Sequence, residues 1–114
     1  MPYELNGKTI ETNANGYIND LDEWNKDLAG VIASEQEVEL TEKSWDVINY
    51  LRDEYFNNGG NQPNERHMIK YFKALWTDMD KVDSKTLYTL FPRGPAKQAG
   101  MIAGLPETKR KGGY

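Results

Sequence analysis

The chain contains no cysteine, and that absence removes more chemistry than any other feature of its composition. Without a thiol there is no disulfide framework, no thiolate metal site, no cysteine nucleophile and no dithiol redox couple. Histidine is nearly absent too: His67 stands alone, so two-histidine zinc motifs are ruled out and a zinc centre loses both of its usual ligand types. His67 reads as a surface or partner-contact residue. No hydrophobic run approaches the roughly 20 residues that a membrane helix needs. The opening "MPYELNGKTI" lacks the basic-then-apolar layout of a signal peptide, so the expectation is a cytoplasmic protein. The "NGG" and "KGG" segments have neither the GxxxxGK[ST] nor the GxGxxG context of a phosphate cradle, and neither a metal nor a cofactor is expected.

What is present fits one small domain. A length of 114 residues sustains a single core, and although only 38% of residues are hydrophobic, three Trp, seven Tyr and three Phe bury large areas from few positions. The net charge of -4 conceals an asymmetry. Residues 1–60 hold thirteen acids against four bases and residues 61–114 hold five acids against ten bases, so the two parts carry -9 and +5. Such a split either orients the protein toward an acidic partner or anionic ligand through its C-terminal portion, or draws the two halves together.

Local patterns predict mostly helix. In "YELNGKTI" the pair Asn6-Gly7 favours a type I′ turn, giving a small hairpin of Tyr3 to Leu5 and Lys8 to Ile10. "DLDEWNKDLAGVIASE" places Trp24, Leu28, Val31 and Ile32 at helical spacing, with Asp20 as N-cap and Glu23 completing a capping box. A second helix follows Thr41, with Leu40 and Trp45 as a hydrophobic staple and Ile48, Leu51 and Tyr55 continuing the stripe until Asn58-Gly59-Gly60 ends it. "NERHMIKYFKALW" puts Met68, Ile69, Phe72, Leu75 and Trp76 on one face of a third helix whose other face is basic. "SKTLYTLF" makes a fourth, ended by Pro92. A fifth opens with Pro95 at its first position and ends at Gly104-Leu105-Pro106 in a Schellman layout. The fold class is therefore mainly α (α+β): a small orthogonal bundle of about five helices with an N-terminal β-hairpin. The boundaries are a domain over 1–106 and a flexible C-terminal arm, "ETKRKGGY", over 107–114.

Chemistry-bearing clusters are scarce. Asp20, Asp22, Glu23 and Asp27 are spaced as a solvated helix face rather than as paired acids around a pocket. The best constellation is Arg66, Lys70 and Lys73, a cationic stripe along the third helix, with Arg93 and Lys97 supplied by later segments. It suits an anion, or is simply the polar face that an amphipathic helix requires. A nucleic-acid version takes helices two and three as a helix-turn-helix regulator. The long connection from Asn57 to Pro63 and the overall acidity weigh against it.

"LYTLFPRGPAKQAGMIAGLP", Leu87 to Pro106, closely resembles the signature of the DsrC/TusE family, the gamma-subunit-like proteins of dissimilatory sulfite reductase and the TusE sulfur-relay proteins. "GYINDLDEW" at 16–24, "ELTEKSWDVINYLRDEY" at 39–55 and the R-x-x-x-K of Arg66 and Lys70 extend the likeness over nearly the whole chain. The resemblance implies a helical fold with a C-terminal arm. It also implies a sulfurtransferase-like task, in which a persulfide on a penultimate cysteine of the arm is exchanged with sulfite reductase or with the relay that thiolates transfer RNA. A second cysteine follows "GPAKQA" in the sulfite-reductase type. Here those positions correspond to Gly113 and Gly100, so no catalytic residue is carried over. The arm is also remodelled, with Lys109, Arg110 and Lys111 added. The implied reading is a non-catalytic binding or regulatory homologue that docks on a sulfur-trafficking protein through Arg66, Lys70, Lys73, Arg93, Lys97 and the three arm cations. The alternatives are a DNA-binding regulator, or a family sulfur carrier whose cysteines have been replaced.

Overall fold

A computed structural model describes residues 2–107. Tyr3–Leu5 (β1) and Lys8–Ile10 (β2) pair antiparallel, with Tyr3 opposite Ile10 and Leu5 opposite Lys8. Asn6 and Gly7 both take positive φ, 53° and 80°, as a type I′ turn requires. The opposed pair Tyr3 and Ile10 is buried, so the hairpin lays one face on the first helix, which supplies the support that an isolated two-stranded ribbon lacks. Beyond it, a bridge between Thr12 and Ile18 closes a loop that turns on the Asn13 carboxamide, whose oxygen accepts from the backbone N–H groups of Asn15 and Tyr17.

Five α-helices follow: Lys26–Glu35 (α1), Glu42–Asn57 (α2), Glu65–Leu75 (α3), Ser84–Leu90 (α4) and Pro95–Ile102 (α5). The first differs from its expected extent. Asp20 caps only a single 3-10 turn over Leu21–Glu23, Trp24 is extended, and Asn25 is the N-cap of α1, accepting from Leu28 N–H. Trp24 is thereby released from the helical stripe to make contacts with the C-terminal segment, while Leu28 and Ile32 keep their expected buried places. On α2 the capping box forms between Thr41 and Ser44, and Leu40 and Trp45 both pack on the core. On α3 Met68 and Phe72 are buried, as is Trp76 at its C-cap, but Leu75, expected on the same face, is 49% exposed. The buried arc of α3 is narrower than its apolar pattern, so Leu75 and Tyr71 face outward.

The core is built from Leu28, Ile32, Ile48, Met68, Phe72, Leu87, Phe91 and Ile102, all sealed from solvent. Each such side chain contributes about 1.5–3 kcal/mol relative to its exposed state. Helix α5 packs against α1, α2 and α4, which places the last described segment in the middle of the bundle. Pro95 occupies its first turn as expected, and its C-terminus closes with Leu105 N–H donating to Gly100 C=O and Gly104 N–H to Met101 C=O. This is the Schellman pattern, with Gly104 in the left-handed region at φ 73°.

Candidate functional site

Two features are concave or chemically organised enough to serve as a site. The first is the exit of the chain after α5. Trp24 Nε1 donates to Ile102 C=O at 2.8 Å, Arg52 Nη1 to Ala103 C=O at 2.7 Å and Gln62 Nε2 to Pro106 C=O at 3.2 Å. The carboxylate of Glu107 then accepts from Asn13 Nδ2 at 2.9 Å and Asn15 Nδ2 at 2.8 Å. The Arg52 guanidinium lies 3.8 Å from the centre of a Trp24 ring and 4.8 Å from that of Phe56, and burial pulls its pKa below the ordinary arginine value while leaving it charged at neutral pH. A cation held between aromatic faces and aimed at a helix C-terminus is doubly placed, because the carbonyl end of α5 carries negative partial charge. Glu107, the first residue assigned to the arm by sequence, is thus tied to the loop after the hairpin. The cations Lys109, Arg110 and Lys111, and Gly113, lie outside the described residues.

The second feature is a groove of about 670 Å³ between α2 and α3. Tyr50 and Tyr71 stack in it, with ring centroids 4.1 Å apart. Glu54 stands on the α2 wall and His67 and Lys70 on the α3 wall, with Leu75 beside Tyr71 on the floor and Asn61 and Pro63 also lining the groove. An acidic recess with Asp46, Asn49 and Asp53 adjoins it and shares Tyr50, Glu54, Tyr71 and Leu75.

The cations singled out by sequence are distributed rather than gathered. Arg66, Lys70 and Lys73 are all exposed on α3, and Lys70 lines the groove. Arg93 and Lys97 line a separate recess with Glu65 and Tyr88, and Arg93 reaches the Glu37 carboxylate at 3.5 Å. Its backbone N–H is also fixed, donating to the buried Gln98, whose amide in turn donates to Gln36. Neither recess is lined by cations of both sets, and the side chains bonded to residues 102–107 are Trp24, Arg52, Gln62, Asn13 and Asn15. Asn25 was the one sequence signal for this group, since an N-cap there puts Trp24 outside the helix. The other four donors carry no local signature.

The helix-turn-helix reading is not favoured by this geometry. Residues 58–64 separate α2 from α3, whereas that motif uses a turn of roughly 3–4 residues. Among the described residues no group of three or more His, Asp or Glu side chains is arranged to hold a metal ion, and no helix is long and apolar enough to cross a membrane.

A pinned C-terminal exit on a helical body capped by one hairpin defines a recognisable class. The family model described as DsrC like protein matches residues 4–110, and the chain belongs to that family. Among its relatives, "Sulfurtransferase TusE" of Pectobacterium atrosepticum is 39% identical over 104 residues, covering 91% of this chain and 94% of that protein. "Sulfurtransferase TusE" of Escherichia coli K12 is 41% identical over 103 residues, 89% of this chain and 91% of that one. The crystal structure of the oxidized gamma-subunit of the dissimilatory sulfite reductase (DsrC) from Archaeoglobus fulgidus matches with a TM-score of 0.85 at 33% identity, covering 96% of this chain and 98% of that chain.

Within this frame the glycine at position 100 acquires a meaning. Gly100 is buried on α5, yet a Cβ built on it meets no neighbouring heavy atom within 4 Å. The scaffold has room for a Cβ at the position where the family resemblance implies a cysteine. Glycine inside a helix costs about 0.5–1 kcal/mol relative to alanine, so packing gives no reason for the glycine.

Proposed function

We propose that this chain is a cysteine-less DsrC-like protein that docks on a protein partner of a sulfur-trafficking system, of the kind its relatives' names imply, without itself carrying sulfur. It modulates that partner or competes there with a thiol-bearing relative. The observation that carries the reading is chemical: the family body and the ordered base of its arm are present, while the whole chain holds no thiol. A persulfide is built on a thiolate sulfur, and a methionine thioether, with both valences already on carbon, offers no substitute. What is left for such a body is recognition. The side chains that fix the segment Ile102 to Glu107 support this, because a segment aimed in advance loses less freedom when it is gripped by another macromolecule. Arg66, Lys70, Lys73, Arg93 and Lys97 supply exposed positive charge on the body, and the sequence adds three further cations, Lys109, Arg110 and Lys111.

The test has two arms. Affinity capture from the native cell with the full chain should recover a sulfur-transfer enzyme or relay protein, and removal of residues 107–114 should reduce recovery about tenfold or more. Failure of the full chain under conditions where a cysteine-bearing relative succeeds overturns the docking reading. Mass spectrometry after incubation with a persulfide donor should show no added sulfur on the natural chain and one added sulfur on the Gly113→Cys variant. Sulfur uptake by the natural chain overturns the non-carrier reading.

A further inference from the structure

The groove between α2 and α3 remains outside that account, and its two walls are unlike each other. The α2 wall is acidic, with Glu54 in the groove and Asp46 and Asp53 in the adjoining recess. The α3 wall is basic, with His67 and Lys70 in the groove and Arg66 and Lys73 exposed on the same helix. Between them lies an aromatic and aliphatic floor that water still reaches: Tyr71 is 44% and Leu75 49% exposed. Among the described residues no ion pair joins the two walls; the pairs are Lys8 with Glu23, Lys43 with Asp78, Lys81 with Asp83 and Arg93 with Glu37. Glu54 instead accepts from Asn58 and Asn61, and Asp53 from Asn57.

A surface with an acidic wall, an apolar floor and a basic wall is its own complement. A two-fold axis running along the groove, in the plane between two facing copies, lays the α2 wall of one copy over the α3 wall of the other, so that acids meet bases twice while the two floors meet each other. Neither a uniformly basic peptide nor a uniformly acidic one matches both walls at once. We propose that this groove is the contact face of a homodimer, with Leu75 and Tyr71 at its centre and Glu54 of each copy facing Lys70 of its mate. The contact belongs to the weak, reversible class, since its apolar centre is small and its charged rim is screened by salt. It covers Lys70, one of the cations offered to the partner above, so self-association and docking through that cation exclude each other. Concentration then becomes a control on partner access.

Sedimentation velocity on the full chain, run from low-micromolar to high-micromolar protein at low and physiological salt, tests the proposal. The expected result is a monomer–dimer equilibrium that weakens with salt. Leu75→Glu should be monomeric throughout with an unchanged thermal melt, because that side chain lies at the surface. Glu54→Lys and Lys70→Glu should each weaken the dimer about tenfold, from the loss of two symmetric charge contacts. The double variant Glu54→Lys/Lys70→Glu should restore it, which a general effect on stability would not do. A chain that stays monomeric at every concentration overturns the proposal. So does a dimer indifferent to these substitutions, or a groove whose variants lose a heterologous partner while the natural chain remains monomeric.

Discussion

Gly104 is the residue on which the C-terminal geometry turns. Its φ of 73° lies where a Cβ is disfavoured, and a Cβ built there would come 2.7 Å from Trp24 Cγ. Left-handed backbone costs an L-residue about 1–2 kcal/mol and overpacking adds about 1–3 kcal/mol. Gly104→Ala should therefore destabilise the protein by about 2–5 kcal/mol, read as a lower urea midpoint with an unchanged slope. Its backbone role was legible in the sequence, because Gly-Leu-Pro after an apolar helix spells a Schellman stop. The reason it also tolerates nothing larger was not, since Trp24 is eighty residues away and arrives through tertiary packing. Glu37 shows the opposite case: it ends α1 at φ 60° with Val38 N–H bonded to Ala33 C=O, a left-handed stop that no glycine announces.

At the scale of elements, the joint between the loop after the hairpin and α5 contains a titratable group. Tyr17 is buried, donates its hydroxyl to Lys97 C=O at 3.3 Å, and has its pKa pushed up to about 12, first by burial and then by the negative charge of Glu107 and by Tyr3. The ordinary phenol value is 10.0, so between that value and about 12 the folded chain holds a proton that the unfolded chain has released. Stability must fall as pH rises through that window, and none of this loss occurs below it. The Tyr17→Phe variant should start somewhat less stable, having lost one hydrogen bond, but its stability should decline less steeply over the same pH range in parallel denaturation series. The elements themselves were largely readable. Hairpin, caps, staple and stop signals are local and compete with little else. Helix one is shorter than its pattern because Asp20, Glu23 and Trp24 fit a helical spacing that a second cap at Asn25 and the distant carbonyl of Ile102 override. Leu75 shares the apolar face by spacing yet stays half exposed, because periodicity gives the width of an apolar stripe, whereas the neighbours decide how much of it is covered.

For the molecule as a whole, charge is arranged along the chain: -9 over residues 1–60 and +5 over residues 61–114. In the folded protein this becomes opposed walls on α2 and α3, and the sequence adds the cations Lys109, Arg110 and Lys111. Opposite charges on a partner would steer encounter more than they hold the complex. Neutralising Lys109, Arg110 and Lys111 to Gln should slow association with the captured partner about tenfold at low salt, leave dissociation nearly unchanged, and lose its effect as salt rises. Stopped-flow kinetics at several ionic strengths would read this. The family was legible from contiguous motifs around "FPRGPAKQAGMIAGLP", but the groove was not. It is made by Tyr50 and Tyr71 from different helices, and no spacing rule brings them together. The donors at the chain exit were hidden for the same reason, drawn from the loop after the hairpin, the residue before the N-cap of α1, α2 and the turn before α3.

The indole of Trp24 gives this protein an optical gauge of its own. It is hydrogen-bonded to the end of α5, roofed by the Arg52 guanidinium and in line with Gly104, whereas Trp76 is buried against Phe72 on the far helix. Any macromolecule that pulls on the segment beyond Ile102 must disturb the first chromophore, while Trp76 and the third indole, Trp45 on α2, supply the background. Engagement of the terminal segment can thus be followed as a change in intrinsic emission, without a label attached anywhere near the surface being studied.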